Sequence, residues 1–190
     1  MVHKRNKVRM ESTVKVGMLP VFDYMMKQVT DVGIEIGSLQ GNTPKQIAVV
    51  NDLTIMHVNS ISTVSELYVF MLREFANLID NRMGYPEISH TDNDSVLYAL
   101  KDDKLVGMIV YNNGPTGRSQ MVYKVLSVTE ENHRGQGIYS TLHKYLEAVA
   151  FSQGKTVISS LVHKRNSSLI KAGEKIGLVA AFNYMLKVLD

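Results

Sequence analysis

The 190 residues include no cysteine, which excludes disulfide staples, thiolate catalysis and cysteine metal sites. Apolar residues make up 45% and charged residues 21%, the balance of a soluble globular chain long enough for a single packed domain over 1–190. The net charge of +3 owes much to placement: with Lys4, Arg5, Lys7 and Arg9 set aside, 17 of the 21 basic residues face 18 acidic ones. No apolar run nears the ~18 residues of a membrane span, and the charged start lacks the apolar stretch of a secretory signal. A cytoplasmic protein is expected, with 1–9 a flexible basic tail able to touch nucleic acid or another polyanion.

Residues 10–18 alternate loosely and predict a strand. Pro20 suits the first turn of a helix, and Phe22, Met25, Met26 and Val29 recur at i, i+3, i+4, i+7, predicting a helix that Gly33 stops. Gly37, Gly41, Asn42 and Pro44 break the chain into turns. Residues 47–50 and 53–58 predict two strands about the Asn51-Asp52 turn, with His57 structural in the second. Thr63-Val64-Ser65-Glu66 is a capping-box pattern, and Val64, Leu67, Met71, Phe75 and Leu78 carry a helix over 64–81. Residues 82–86 end it, and 84–94 form a polar loop. Asp92-Asn93-Asp94 opens like a calcium loop, but Leu97 and Asp103 stand where that loop needs glycine and glutamate, so calcium is not expected.

Residues 95–100 and 105–111 predict an antiparallel hairpin about Asp102-Asp103, with Gly107 marking a close approach. The loop 112–117 has glycines too close together for a Walker phosphate loop. Residues 120–128 predict a strand running into Arg134-Gly135-Gln136-Gly137. From Ile138, apolar Leu142, Tyr145, Leu146 and Val149 predict a helix ending at Gly154. A glycine turn between a strand and a helix start gathers backbone N–H groups at the positive end of the helix dipole, a setting for phosphate. Residues 156–162 read as a strand. Asn166 or Ser167 caps a further helix with Leu169, Ala172 and Ile176 on one side, closed by Gly177, and 178–189 supply the last β segment. The six histidines lack metal spacing. The serines at 159–160 and 167–168 lack a nucleophile elbow, and Ser140 stands where a dinucleotide fingerprint needs its third glycine.

With these residues in place, 120–189 resemble the acetyl-CoA-binding core of the GNAT superfamily of N-acyltransferases. The family's first block, Arg/Gln-x-x-Gly-x-Gly/Ala, is matched by Arg134 to Tyr139, with tyrosine at its last position. Its second block runs Asn, Ala three later, Tyr seven later, Glu-Lys, Gly eleven later and Phe twelve later. Here Asn166, Leu169, Gly173, Glu174-Lys175, Gly177 and Leu178 stand in that register. The 95–111 hairpin and the 64–81 helix extend the resemblance upstream. Residues 10–60 match more weakly, and only one strand among 47–58 need belong to the family core.

The resemblance implies an α+β fold, a mostly antiparallel mixed sheet flanked by helices. It implies an N-acetyltransferase that passes an acetyl group from acetyl-CoA to a primary amine of a small-molecule or protein acceptor, by direct attack in a ternary complex. No metal and no membrane are implied, and homodimers are frequent in the family. By position, Leu126, Ser127 and Val128 pair with the pantetheine arm. The amides of Arg134, Gly135, Gln136, Gly137, Ile138 and Tyr139 cradle the pyrophosphate, and Asn166 bonds the pantetheine region. The tyrosine that commonly acts as general acid is Gly173 here, which leaves Tyr139 and Tyr184 as candidates; Tyr139 can equally serve packing alone. Glu130 and Glu131 lie in the loop before the glycines, where His133 can touch a phosphate. Tyr123, Lys124 and Ser127 are the polar groups on the strand itself, with no carboxylate among them. Two alternatives stay open. The missing tyrosine suits an acyl-CoA-binding sensor or interaction module, and the basic tail suits an acyltransferase acting on nucleic acid or a protein bound to it.

Overall fold

The computed structural model describes residues 2–3, 19–80, 94–113 and 120–186, with side chains over 22–74, 76–77, 94–113 and 120–181. The expected strand over 10–18, the basic residues 4–9, the helix end at Arg82 and the polar loop through residue 93 lie outside the described residues. In chain order the elements are β1 (Val2–His3), β2 (Leu19–Gln28), β3 (Lys45–Val50), β4 (Leu53–Val58), α1 (Ser65–Asp80), β5 (Ser95–Lys101) and β6 (Lys104–Asn112). They continue with β7 (Met121–Thr129), α2 (Ile138–Ser152), β8 (Val157–His163), α3 (Ser167–Lys175) and β9 (Val179–Leu186). The strands form one nine-stranded sheet in the order β1-β9-β2-β8-β7-β6-β5-β4-β3. All described pairings are antiparallel except β7 with β8. The α+β class and the mixed, mostly antiparallel sheet are as expected.

The middle strands are buried on both faces. Val96, Tyr98, Met108 and Val110 meet Leu67, Phe70 and Met71 of α1. Their neighbours Leu97, Ala99, Ile109 and Tyr111 meet Leu142, Tyr145 and Leu146 of α2. Each fully buried aliphatic or aromatic side chain contributes roughly 1.5–3 kcal/mol, so the sheet is gripped between two helices. A third, smaller cluster joins Met25, Val162 and Leu178 to Leu169 and Ile170 of α3.

The β3–β4 and β5–β6 hairpins form as expected. Asp102 and Asp103 hold φ of 49° and 60°, the left-handed pair that a two-residue hairpin of this twist requires. Asn51 turns the first hairpin at φ 55°.

Two expectations fail. The helix expected from Pro20 is strand β2, inserted between β8 and β9. An inner strand has both faces covered, so Phe22 at 4% and Met25 at 0% exposure are buried although they point opposite ways. Their i, i+3 spacing thus imitates a helix. Pro20 sits where the β2–β9 register shifts, a bulge position that tolerates a missing N–H. The capping box is not formed either: the Thr63 hydroxyl lies 2.8 Å from Ser60 O and 3.0 Å from Asn42 O, within a short 3-10 turn (Ile61–Thr63). The helix itself starts after Val64, whose carbonyl accepts from Leu67 and Tyr68.

Candidate functional site

The site begins where two parallel strands part. β7 pairs with β8 from Met121↔Val157 to Lys124↔Ser160 and no further, although β7 runs on to Thr129 and β8 to His163. On the other edge of β7 the register with β6 shifts between Val110 and Tyr111, which makes Val125 a bulge. A bulge adds twist, and here it turns β7 away from β8. The opening is a cleft of about 650 Å³ lined by Ser127, Val128 and Thr129 of β7, the start of α2 and the first turns of α3.

One wall is the glycine turn. A one-turn 3-10 helix (Glu131–His133) leads into Arg134. Arg134 Nε donates to Thr129 O at 3.1 Å and Gln136 Nε2 donates to Asn132 O at 3.2 Å, tying the turn to itself. Gly135 and Gly137 hold φ of +79° and +82°, and a Cβ on either would meet no atom within 4 Å. Glycine is therefore required by the backbone and not by crowding. It leaves open space in front of the amides. α2 starts directly after Gly137 with no side-chain cap, and its first internal bond runs from Thr141 N to Gly137 O. The N–H groups of Ile138, Tyr139 and Ser140 are the orphan donors that every helix start leaves, here facing a cleft.

Gly107 sets the position of that helix start. A Cβ there would stand 2.9 Å from Ile138 Cγ2 and 3.2 Å from Val128 O. The close approach expected at Gly107 is thus made by the first residue of α2.

The other wall carries charge. Arg165, Lys171 and Lys175 line the cleft with Asn166, Ser167 and Ser168. Asn166 Oδ1 accepts from Leu169 N at 3.1 Å, so the side chain expected to meet pantetheine spends its oxygen on capping α3. Gly173, where the resemblance leads us to expect a tyrosine, faces the interior: a Cβ would lie 3.2 Å from Leu178 Cδ1 and 3.4 Å from Met25 Cε.

Of the expected site residues, Ser127, Val128, Arg134, Gly135, Gly137, Ile138, Tyr139 and Asn166 all line the cleft. Leu126 packs toward the α1 cluster. Tyr184 pairs through its backbone with Phe22, and its side chain lies outside the described residues. Glu74 of α1 lines the cleft and was not anticipated. It is buried at 5% exposure, with Arg73 Nε at 3.1 Å and Arg134 Nη2 at 3.8 Å. Leu67, Phe70, Met71 and Glu74 share one helical stripe, so a carboxylate within that apolar spacing was the signal. His133 Nδ1 lies 2.6 Å from Glu130 Oε2, and this bond holds the Glu130 carboxyl below its ordinary range, which weakens it as a base.

Beneath the splay lies a buried polar group of three. Lys124 is 2% exposed, and its Nζ donates to the Tyr139 hydroxyl at 2.9 Å. Burial lowers the lysine to about 7 and raises the tyrosine. His143, one turn along α2, has its ring 6.1 Å from that of Tyr139. Burial first, then the charges of Lys124 and Lys27, pull His143 far below its usual range. Among the described residues no group of three or more metal-binding side chains comes together, and no helix is long and apolar enough to cross a membrane.

The fold is shared with solved structures. An aminoglycoside acetyltransferase, HMB0005, from an uncultured soil metagenomic sample matches with a TM-score of 0.55 at 16% identity, covering 73% of this chain and 99% of that one. A second aminoglycoside acetyltransferase, meta-AAC0020, also from an uncultured soil metagenomic sample, matches at 0.52 and 17% identity, covering 72% and 97%. A GCN5-related N-acetyltransferase from Kribbella flavida matches at 0.55 and 14% identity; it covers 92% of this chain, which spans 60% of its length. At such identities the likeness is one of fold. No curated protein matches the chain in sequence. The model of the acetyltransferase (GNAT) family matches residues 62–178, from the turn before α1 to the start of the last β segment, and the chain belongs to that family.

Proposed function

We propose that the cleft binds acetyl-CoA and that the protein transfers its acetyl group to a primary amine. The observation that carries this reading is that β7 parts from β8 after Lys124 and then leads, through the glycine turn, to an uncapped helix start. A strand with a free edge can pair with an amide-bearing chain, and uncapped amides at a dipole end suit a pyrophosphate. CoA has both parts in that order. The residues fit it: glycines at 135 and 137 keep the cradle open, and Arg165, Lys171 and Lys175 offer positive charge across the gap.

In this reading the amides of Ile138, Tyr139 and Ser140 hold the pyrophosphate, and Ser127 and Val128 align the pantetheine arm. A β7 amide polarises the acetyl carbonyl, an oxyanion-hole task. The thioester supplies an activated acetyl group. The acceptor must reach it as a free amine, because an alkylammonium has a pKa near ~10. Tyr139 is the candidate proton donor toward the departing sulfur, in place of the residue that is Gly173 here. The aminoglycoside acetyltransferases among the structural relatives make polycationic amines the first acceptors to try.

Acetyl-CoA should raise the melting temperature, since a ligand that binds only the folded state stabilises it. CoA release should then follow with at least one amine from a panel of aminoglycosides, polyamines, amino acids and peptides. Absence of any thermal shift would remove the reading. A shift without thiol release across the panel would favour the second one, an acyl-CoA-binding sensor. Gly173 is the observation behind that alternative, because its site is filled by Met25 and Leu178.

A further inference from the structure

Tyr139 owes the place of its oxygen to a residue outside both family blocks. Lys124 is the last residue of β7 paired with β8, so it stands at the closed end of the splay. Its register partners are Tyr111 on β6 and Ser160 on β8, and Tyr139 and His143 approach it from α2. Among the described residues no carboxylate pairs with it, and its Nζ donates to the tyrosine oxygen. A phenol has one proton to give and lone pairs to receive with. When Lys124 donates to the oxygen, the Tyr139 proton is left to point elsewhere, and Tyr139 itself lines the cleft.

We infer that Lys124 is a positioning residue for the leaving group: by donating to the Tyr139 oxygen it turns the phenolic proton toward the CoA sulfur at the closed end of the cleft. This rests on the acetyl-CoA reading above. If the pyrophosphate sits on the α2 amides and the arm follows Val128 and Ser127, the thioester end falls beside Lys124. During transfer the acceptor nitrogen bonds the acetyl carbon, the carbon–sulfur bond breaks with its electron pair on sulfur, and the amine proton passes to water. Tyr139 donates a hydrogen bond to that sulfur, and the cation behind it strengthens the donation. The bond is charge-assisted only while Lys124 holds its proton. Burial keeps the lysine near that boundary at neutral pH.

The test needs no acceptor. CoA is bound to the protein and its thiol titrated by ultraviolet difference spectroscopy against the complex with desulfo-CoA, which lacks the titrating group. In the wild-type complex the thiol should titrate measurably lower than in Lys124→Met, because a hydrogen bond aimed at the thiolate favours its charged form. Tyr139→Phe should show the same rise, and the double variant no further rise, as for two residues acting through one contact. An equal thiol titration in wild type and Lys124→Met would overturn the inference. So would a Lys124→Met effect that persists in the Tyr139→Phe background, since the lysine would then act without the tyrosine. Tyr139→Phe removes one oxygen only, so it remains informative if the lysine variant folds poorly. Failure of the wild type to bind CoA would remove the acetyl-CoA reading and this inference together. Binding with an unshifted thiol would remove this inference alone.

Discussion

The two walls of the cleft both end in helix N-termini, and the ends are finished in opposite ways. α2 begins on Gly137 at φ +82° with no side chain over its amides. α3 begins on Asn166, whose Oδ1 already accepts from Leu169 N at 3.1 Å. A capped end has satisfied an orphan donor within its own chain, whereas an uncapped end offers its donors to a ligand. The comparison therefore divides the work. Backbone amides belong to the α2 wall, and side-chain charge from Arg165, Lys171 and Lys175 belongs to the α3 wall.

The strongest test of that division is Gly137→Asp. The substitution puts a side chain into the left-handed region and a negative charge where an anion is to bind. Acetyl-CoA affinity should fall at least about 100-fold, roughly 2.7 kcal/mol, while the melting temperature of the free protein drops modestly. Calorimetric titration checks it. Retained affinity in a folded variant would show that the amide cradle is not the phosphate site.

Gly107→Val comes next, and it moves the uncapped end instead of filling it. A Cβ would already stand 2.9 Å from Ile138 Cγ2; two further methyl groups must push α2 off the sheet. Overpacking of this kind costs about 1–3 kcal/mol. Stability and acetyl-CoA affinity should fall together, read by chemical denaturation and titration. Lost stability with intact affinity would mean that the cradle does not depend on where α2 starts.

The same contrast explains how much could be read from the sequence. Local chemistry was legible: the Asp102-Asp103 turn needs only its own backbone, Gly135 and Gly137 announce left-handed positions, and Asn166 caps the helix that follows it. Long-range partnership was not. β2 looked helical because its place between β8 and β9 buries both of its faces, which is a property of the sheet. Lys124 was visible only as a polar group on a strand. Its bond to Tyr139 depends on α2 packing across β7. Glu74 was passed over because one acidic residue within an apolar stripe reads as a helix surface until Arg134 is brought beside it.

Lys124 gives a pH-dependent test of how the α2 wall is supported. Its folded value of about 7 lies below the ordinary 10.5, so between those values the unfolded chain binds more protons and stability rises with pH. The penalty for burying the charge is full below pH 7 and fades toward 10.5. Lys124→Met should therefore raise the melting temperature, by an amount worth on the order of 2 kcal/mol at pH 6, and should give little gain at pH 10. Thermal unfolding of both proteins across that range decides it. A gain that does not change with pH would mean that the lysine is not the group whose charge is costly.

Asn166→Ala should have the smallest effect and separates the two walls most cleanly. Loss of the cap leaves an α3 amide without its acceptor and costs about 1 kcal/mol, or roughly 2–4 °C in a chain of this size. If the α3 wall contributes charge and not amides, acetyl-CoA affinity should change by less than about tenfold, far below the effect at Gly137. Asn166→Ser should restore the melting temperature, because serine caps about as well as asparagine. The serine variant also tests whether the asparagine touches pantetheine. Restored stability with affinity still low would assign the remaining Asn166 amide to the ligand, since serine keeps the capping oxygen but lacks that NH₂ donor. Restored stability and restored affinity would leave Asn166 as a cap alone, and the recognition of the arm would rest on β7.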